Sequence, residues 1–434
     1  MTFDYIVEGK IFLNNSFQQC CIGIEDEKIT SVKKILTCAK KKKFPKQVVL
    51  PAGIDIHVHF RDPGFPQKET FQTGSIAAAF GGIACVFDMP NTKPQTTNKV
   101  QILSKIEHAN QKSVIDFGIY ACISDENIAI IDSFFSLVPG FKIFLGSTTN
   151  SQIFSQKNLS ALFKNLKNSS KPVLFHAEDS QCLIENKREE SHIIDHNNAR
   201  PCTCEAKAVQ SILQHSPFPC PVHICHVSSI DALNLLLMKK DFVSFGSTPH
   251  HCLLNIDYKT KLHQSYFKVN PPLRPINHQT VLFNALKEGK IPILESDHAP
   301  HTLMEKSGNF SDSPSGISGV ETMYPLFLFL AYQQIISFSE VISAVCERPA
   351  KLLNLSKGLI KEGYDADFVV VDVKKQMKIS PEILHSKATH SPFEGFNALF
   401  PQHVYVRGHP VVEENVLIAK PGNGEHVINN ESES

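Results

Sequence analysis

Short apolar runs recur along the middle of this chain, each closing on polar residues and each followed by a longer stretch of mixed character. The runs are VVLPAGIDIHVHF from Val48, IACVFDMPNT from Ile83, DFGIYACIS from Asp116 and GFKIFLGST from Gly140. KPVLFHAED from Lys171, PVHICHVSS from Pro221, DFVSFGSTPHH from Asp241 and IPILESDHAPH from Ile291 complete the series. Brief runs of this kind, bounded by turn residues, predict strands. Between them, KVQILSKIEHANQ and DALNLLLMKK repeat their apolar positions with the period of a helix. Eight strands alternating with helices over roughly 250 residues predict a (β/α)8 barrel, whose C-terminal strand ends converge on one site. A doubly wound sheet also alternates, but it accounts less well for functional polar residues at so many strand ends.

The two chain ends carry a different pattern. Residues 1–50 read as short strands and turns, with a lysine run at Lys40–Lys43 that is most simply a solvated loop. GLIKEGYDADFVVVDV and HVYVRGHPVVEENV are strand-like again. Neither end has enough strands to stand alone. Together they predict a small β-sandwich made of residues 1–50 and 356–434, set beside a barrel of residues 51–355. The final GNGEHVINNESES is polar and predicts a frayed tail.

Composition narrows the functional classes. Lys plus Arg and Asp plus Glu each total 43, so the chain has no net charge and no electrostatic footprint for nucleic acid or an anionic membrane. No apolar run approaches the ~18 residues of a membrane span. The opening MTFDYIVEGK lacks the basic and apolar regions of a secretory signal. The twelve cysteines are scattered, and Cys202-Thr203-Cys204 has no partner pair at zinc-site spacing. These features predict a cytoplasmic protein with reduced, mostly buried thiols. The unusual count is histidine: twenty copies, fifteen of them between His57 and His301. Imidazole is the commonest metal ligand.

The strongest local pattern is Asp55-Ile56-His57-Val58-His59 on the first barrel strand. Strict alternation puts Asp55, His57 and His59 on one face and Ile54, Ile56 and Val58 on the other. The apolar face suits the helix layer, which leaves two imidazoles in the barrel mouth as a chelating pair. The structural alternative is a pair of core histidines. Lys142 stands inside the apolar strand GFKIFLG, where it is either a snorkelling surface lysine or a functional amine. Burial favours the neutral form of an amine, and a neutral amine can add CO2 to give a carbamate with two oxygens. His176 and His226 each close an apolar run, and alternation cannot choose between His226 and His223, which lie on opposite faces. Asp297 ends the eighth strand, where an acid suits metal binding or general-base work, or simply caps the next turn.

Taken together, DIHVHFRDPG, MPNT at Met89, FHAED, CHVS, KVNPPLR and SDHAPHTLMEK resemble the dihydroorotase family of the amidohydrolase superfamily. The resemblance runs from about Pro51 to Pro325 and continues more weakly through DADFVVVD and SPFEGF. It implies two zinc ions per subunit. His57 and His59 would hold the more buried ion and His176 and His226 the other. Lys142, as carboxylysine, would bridge them, with Asp297 as the remaining ligand and the proton shuttle. The CHVS match selects His226 over His223. Arg61, Asn91 and His301 would grip the substrate carboxylate, and Asn270 matches a further substrate contact. The implied reaction interconverts N-carbamoyl-L-aspartate and (S)-dihydroorotate in pyrimidine biosynthesis. The resemblance also implies a homodimer and a possible association with aspartate transcarbamoylase. The other histidines, including His223, His250, His251 and His298, are read as structural.

Three departures from the family pattern stand out. The lysine segment GFKIFLGSTT replaces the aspartate loop of some bacterial members. Glu295 occupies a position usually held by Gly or Ala, which predicts a disturbance of the eighth strand. Ser315 replaces an aromatic residue in PSGI, within a segment KSGNFSDSPSGISG whose composition suits a mobile lid. Competing readings are an allantoinase, a dihydropyrimidinase, and a non-catalytic homologue that serves as a scaffold.

Overall fold

The computed structural model describes residues 3–167, 169–216, 221–239 and 243–428. Asp241 and Phe242, which open one expected strand, and residues 429–434 of the expected tail lie outside the described residues. The chain begins with strands β1 (Tyr5–Leu13), β2 (Ser16–Glu25), β3 (Lys28–Lys33) and β4 (Lys41–Pro51). Barrel strands follow as β5 (Gly53–Val58), β6 (Ile83–Asp88), β7 (Asp116–Ile119), β8 (Ala121–Cys122) and β9 (Phe141–Phe144). The barrel continues with β10 (Val173–His176), β11 (Val222–Ile224), β12 (Val243–Ser247) and β13 (Ile293–Leu294). The C-terminal strands are β14 (Phe368–Val371), β15 (Met377–Lys378), β16 (Asn397–Ala398), β17 (His403–Val406), β18 (His409–Glu413) and β19 (Val416–Leu417).

Every pairing between barrel strands is parallel. β7 and β8 form one staggered position: β7 pairs with β6, and β8 pairs with β9. Closure comes above the strands, where Val58 bridges His298 and the His59 amide donates to the His298 carbonyl at 2.7 Å. The eight expected runs are thus the eight positions of the barrel.

Side-chain alternation sorts the barrel interior from the helix layer. Phe141, Ile143, Val173 and Phe175 pack in the large apolar cluster that also holds Ala77 and Ala78 of the helix Phe71–Phe80. Lys142, between two of them, is turned inward and fully buried. β5 departs from strict alternation, because its register shifts between Gly53 and Ile54 and again between Asp55 and Val58. Val58 joins the helix-layer cluster, but Ile54 and Ile56 pack with Phe87, Tyr120, Leu174 and Cys225. The expectation for that apolar face therefore holds for Val58 alone.

Both chain ends meet in one eight-stranded sheet, ordered β19-β18-β17-β14-β4-β1-β2-β3. Its two faces follow the two-residue period: Val48, Leu50, Val369, Val371, Val404 and Val406 face the barrel's cluster, whereas Val49, Phe368, Val370 and Tyr405 build a second one. Two expectations about the ends are corrected. The lysine run is not a solvated loop, since Lys41–Lys43 pair with β1 and bond Glu8 at 2.9 Å and Glu413 at 2.6 Å through Lys41 and Lys42. The described part of the tail is not frayed. His426 bridges Phe117 on β7, and two flanking backbone hydrogen bonds of 2.9 and 2.8 Å extend the β7 edge that β8 leaves open. An Arg407–Asp116 ion pair, with Asp116 also held by Lys357 at 2.6 Å, joins the sheet to the barrel beneath this segment.

A third correction concerns the cysteines. Cys182 and Cys204 form a disulfide, with Cα atoms 5.3 Å apart, between the helices Ser180–Glu185 and Cys202–His215. Their 22-residue separation matches no short motif, so only the packing of the two helices brings them together. No helix among the described residues is long and apolar enough to cross a membrane.

Candidate active site

A cavity of about 350 Å³ opens above the C-terminal strand ends. His57, His59, Arg61, Asn91, Lys142, His176, His226, Asn270 and Asp297 all line it, so the fold gathers every predicted site residue except His301 around one cavity. It shares Thr148, Thr149, Asn270 and Ser315 with a wider outer vestibule of about 1000 Å³. Three of these residues hold backbone conformations that are unusual for a side-chain-bearing residue: Arg61 (φ 60°), His226 (φ 41°) and Asp297 (φ 46°). Such conformations concentrate at functional sites because neighbouring structure must hold them in place. At His226 the turn also explains why alternation could not rank it against His223: the residue lies past the end of β11, where the strand period no longer applies.

The candidate ligand atoms form two groups. Asp297 Oδ1 lies 3.3 Å from His57 Nε2 and 3.2 Å from His59 Nε2. His176 Nδ1 faces His226 Nε2 at 3.1 Å. Burial holds all four imidazoles below their usual pKa, with His57 at about 4. They are thus neutral at pH 7, as metal ligation requires. Burial also raises the Asp297 carboxyl, an effect that His57 and Lys142 oppose. The chemistry and mutual approach of His57, His59 and Asp297 fit a divalent cation. Lys142, buried between the groups, donates to Cys225 Sγ at 3.2 Å and lies 5.2 Å from the centre of the Phe144 ring.

Several of these candidate ligands are oriented from behind. Asn91 Oδ1 takes the Nδ1 proton of His59 at 2.7 Å, while its amide group donates to the Thr149 carbonyl at 2.7 Å. Glu178 Oε2 binds His176 Nε2 at 2.8 Å and is itself paired with Arg200. Burial alone would raise the Glu178 carboxyl, but Arg200 and His176 outweigh it and hold the group well below the carboxylate range. Asp55 Oδ1 accepts from the His57 amide at 3.1 Å and the Ser296 amide at 3.2 Å, which ties the first strand to the eighth. Glu178 was legible as an acid two residues beyond His176 in FHAED, on the same side of an extended chain. That signal was missed.

Glu295 is also corrected. Instead of disturbing the eighth strand, it is fully buried, accepts a hydrogen bond from the His226 amide, and lies 3.2 Å from His57 Nδ1. Its carboxyl is held well below the usual range, with His57 and His223 outweighing the effect of burial.

Arg61 is 3% exposed and lines the cavity, and no carboxylate among the described residues stands within 4.0 Å of its guanidinium. His301 sits behind it. Lys68 donates to His301 Nδ1 at 3.0 Å, so the ring's proton lies on Nε2 and points to the Ser315 carbonyl at 3.1 Å. Arg61 Nη2, 3.3 Å from the same Nε2, finds no acceptor there. Asn270 Oδ1 accepts from His196 Nε2 at 2.9 Å. The segment read as a mobile lid is tethered: Lys306 donates to the Pro314 carbonyl at 2.9 Å, Lys268 to the Phe310 carbonyl at 2.8 Å, and the Gly316 amide to the Lys268 carbonyl at 2.9 Å.

A buried cluster of imidazoles, an acid and an amine thus lies at the mouth of a (β/α)8 barrel, and the amidohydrolase family model matches residues 48–411. The chain belongs to the amidohydrolase family. Dihydroorotases of Methanosarcina acetivorans and Thermoplasma acidophilum are each 36% identical to it. The first alignment covers 97% of this chain and 94% of that one, the second 97% of both. Among solved structures, an L-hydantoinase (dihydropyrimidinase) from Arthrobacter aurescens superposes with a TM-score of 0.93 at 24% identity. It covers 98% of this chain and 100% of its own, and at that identity the likeness is one of fold. This member of the family is a hydrolase acting on carbon–nitrogen bonds of cyclic amides.

Proposed function

We propose that this amidohydrolase is a dihydroorotase, interconverting N-carbamoyl-L-aspartate and (S)-dihydroorotate in pyrimidine (UMP) biosynthesis. The observation that carries this reading is Arg61, a buried guanidinium on the cavity wall with no carboxylate partner among the described residues. An unpaired buried charge is costly, so it is best matched by an anion supplied from outside. Dihydroorotate and N-carbamoyl-L-aspartate carry carboxylates, whereas allantoin and dihydrouracil do not.

His57, His59 and Asp297 would hold one zinc ion and His176 with His226 a second, with Lys142 between them after its amine nitrogen has bonded to CO2 and released a proton. When bound, two such cations polarise an amide carbonyl and increase the acidity of water. Asp297 takes the proton of the attacking water and delivers it to the departing ring nitrogen, and in ring closure it takes the proton from the carbamoyl nitrogen. Its raised carboxyl pKa suits a group that must both accept and release a proton. Arg61 receives the substrate carboxylate as a planar fork, with His301 behind it and Asn91 and Asn270 along the wall. The reading carries a cytoplasmic enzyme that forms a homodimer and that can associate with aspartate transcarbamoylase.

The test is metal analysis of the purified protein together with a dihydroorotate hydrolysis assay, run against allantoin and dihydrouracil. Zinc near two equivalents and turnover of dihydroorotate are expected. Turnover of allantoin or dihydrouracil without dihydroorotate would overturn the reading. A protein that turned over none of them would favour the scaffold alternative, against which the complete ligand set already weighs.

A further inference from the structure

Among the described residues, Glu295 is the one acid outside the two candidate ligand groups that touches residues of both. Oε1 accepts the backbone N–H of His226, from the second group, and Oε2 lies 3.2 Å from Nδ1 of His57, from the first. The side chain is fully buried, and His223 Nε2, another buried nitrogen, approaches the same Oε2 at 3.6 Å. A carboxylate can only accept, so the His57 Nδ1 atom beside it carries the ring's proton. The lone pair of His57 is then on Nε2, the atom that faces Asp297 Oδ1 at 3.3 Å. The space for this carboxylate is provided by β12, because a Cβ at Gly246 would lie 2.8 Å from Glu295 Oε1.

We propose that Glu295 is a positioning residue for the metal centre, fixing the His57 tautomer with one oxygen and the turn that presents His226 with the other. The proposal rests on the two-cation reading of the site. It also gives a reason for an acid at this position: the segment just past β13 carries Asp297, which faces the proposed cations, and, two residues earlier, the acid that braces their ligands. Carboxylates that hold the far nitrogen of a metal-bound imidazole set its orientation, and their loss typically weakens metal binding ~10–100-fold.

Glu295→Gln is the informative substitution, because it preserves shape but offers one acceptor and one donor to two donors. If the amide oxygen keeps the His226 N–H, the NH2 faces His57 Nδ1 and drives the proton onto Nε2, where the cation belongs. Zinc affinity of the full-length protein is measured by competition with a chromogenic chelator, alongside thermal melts of the metal-free and zinc-loaded forms. The expected result is ~10–100-fold weaker zinc binding and a smaller rise in Tm on adding zinc. Gly246→Ala keeps the carboxylate but crowds Oε1, so it moves zinc affinity in the same direction and carries the test if the Gln variant does not fold. Unchanged zinc affinity, with an equal Tm loss in both forms, would assign Glu295 a purely structural role and overturn the proposal. Wild-type protein that binds no zinc would instead overturn the two-cation reading, and the proposal with it.

Discussion

Asn91 Oδ1 lies 2.7 Å from Nδ1 of His59. The side chain that the sequence motif implicates in gripping substrate is therefore also the group that orients an imidazole of the proposed metal site, and its NH2 is anchored on the Thr149 carbonyl. Asn91→Ala is expected to lower zinc affinity ~10-fold or more in addition to raising KM. A chelator competition beside steady-state kinetics separates the two effects. A rise in KM with zinc affinity unchanged would leave Asn91 only its substrate role.

With Asp297 as the proposed proton shuttle, Asp297→Asn should reduce kcat by ~1000-fold while the protein stays folded, within the ~10²–10⁴ range of general acid–base effects. Turnover of dihydroorotate and circular dichroism check the two halves of this statement. Near-normal turnover would exclude Asp297 as the proton shuttle.

Arg61 is predicted to act mainly in binding. A hydrogen bond to a charged group contributes about 1.5–3 kcal/mol, so Arg61→Ala should raise the KM for dihydroorotate roughly 10–150-fold, with a smaller effect on kcat. Because the substrate's carboxylate is the proposed partner, the variant should lose little toward dihydrouracil, if any basal activity on it exists. An unchanged KM would remove Arg61 from the carboxylate site.

Buried neutral histidines outside the ligand set make stability depend on acid. Burial lowers His251 and His390 from the ordinary 6.5 to about 4. Between those values the unfolded chain binds protons that the folded chain does not, so stability rises with pH through this window. It is fully present above pH 6.5 and is lost as the pH falls toward 4. Each group contributes at most about 1.4 kcal/mol per pH unit. Melting curves of the protein between pH 7 and 4.5 should show a falling Tm, and His251→Gln or His390→Gln should flatten the slope. A Tm independent of pH across this range would contradict the neutral, buried state of both rings.

The tail offers a test of the fold that does not involve the site. A Cβ at Gly424 would lie 1.8 Å from the Ile115 carbonyl oxygen, so nothing larger than glycine fits where the segment joins β7. Gly424→Ala is expected to destabilise the protein by about 2–4 kcal/mol, in the range of overpacked or strained positions. Chemical denaturation measures it, and a change below ~0.5 kcal/mol would mean that the tail is not docked as the structure has it.

What the sequence determined by itself was the set of local periods and the residues that stand out as candidate ligands. Eight apolar runs became the eight barrel positions because short buried strands and amphipathic helices are encoded within a few residues of themselves. His57, His59, His176, His226 and Asp297 stood out because each terminates such a run, and Lys142 because it interrupts one. The tertiary structure alone decided how these residues are held. Glu295 meets His57 and the His226 amide, Asn91 meets His59, and Cys182 meets Cys204. It also decided that the lysine run pairs with β1 and that the tail docks on β7. These relationships join segments far apart in the chain, or arise at bulges and turns such as those in β5 and at His226, where simple alternation stops being a guide to direction. A carboxylate looks out of place just past an apolar strand until the imidazole of β5 and the amide beyond β11 that bind it are brought around it.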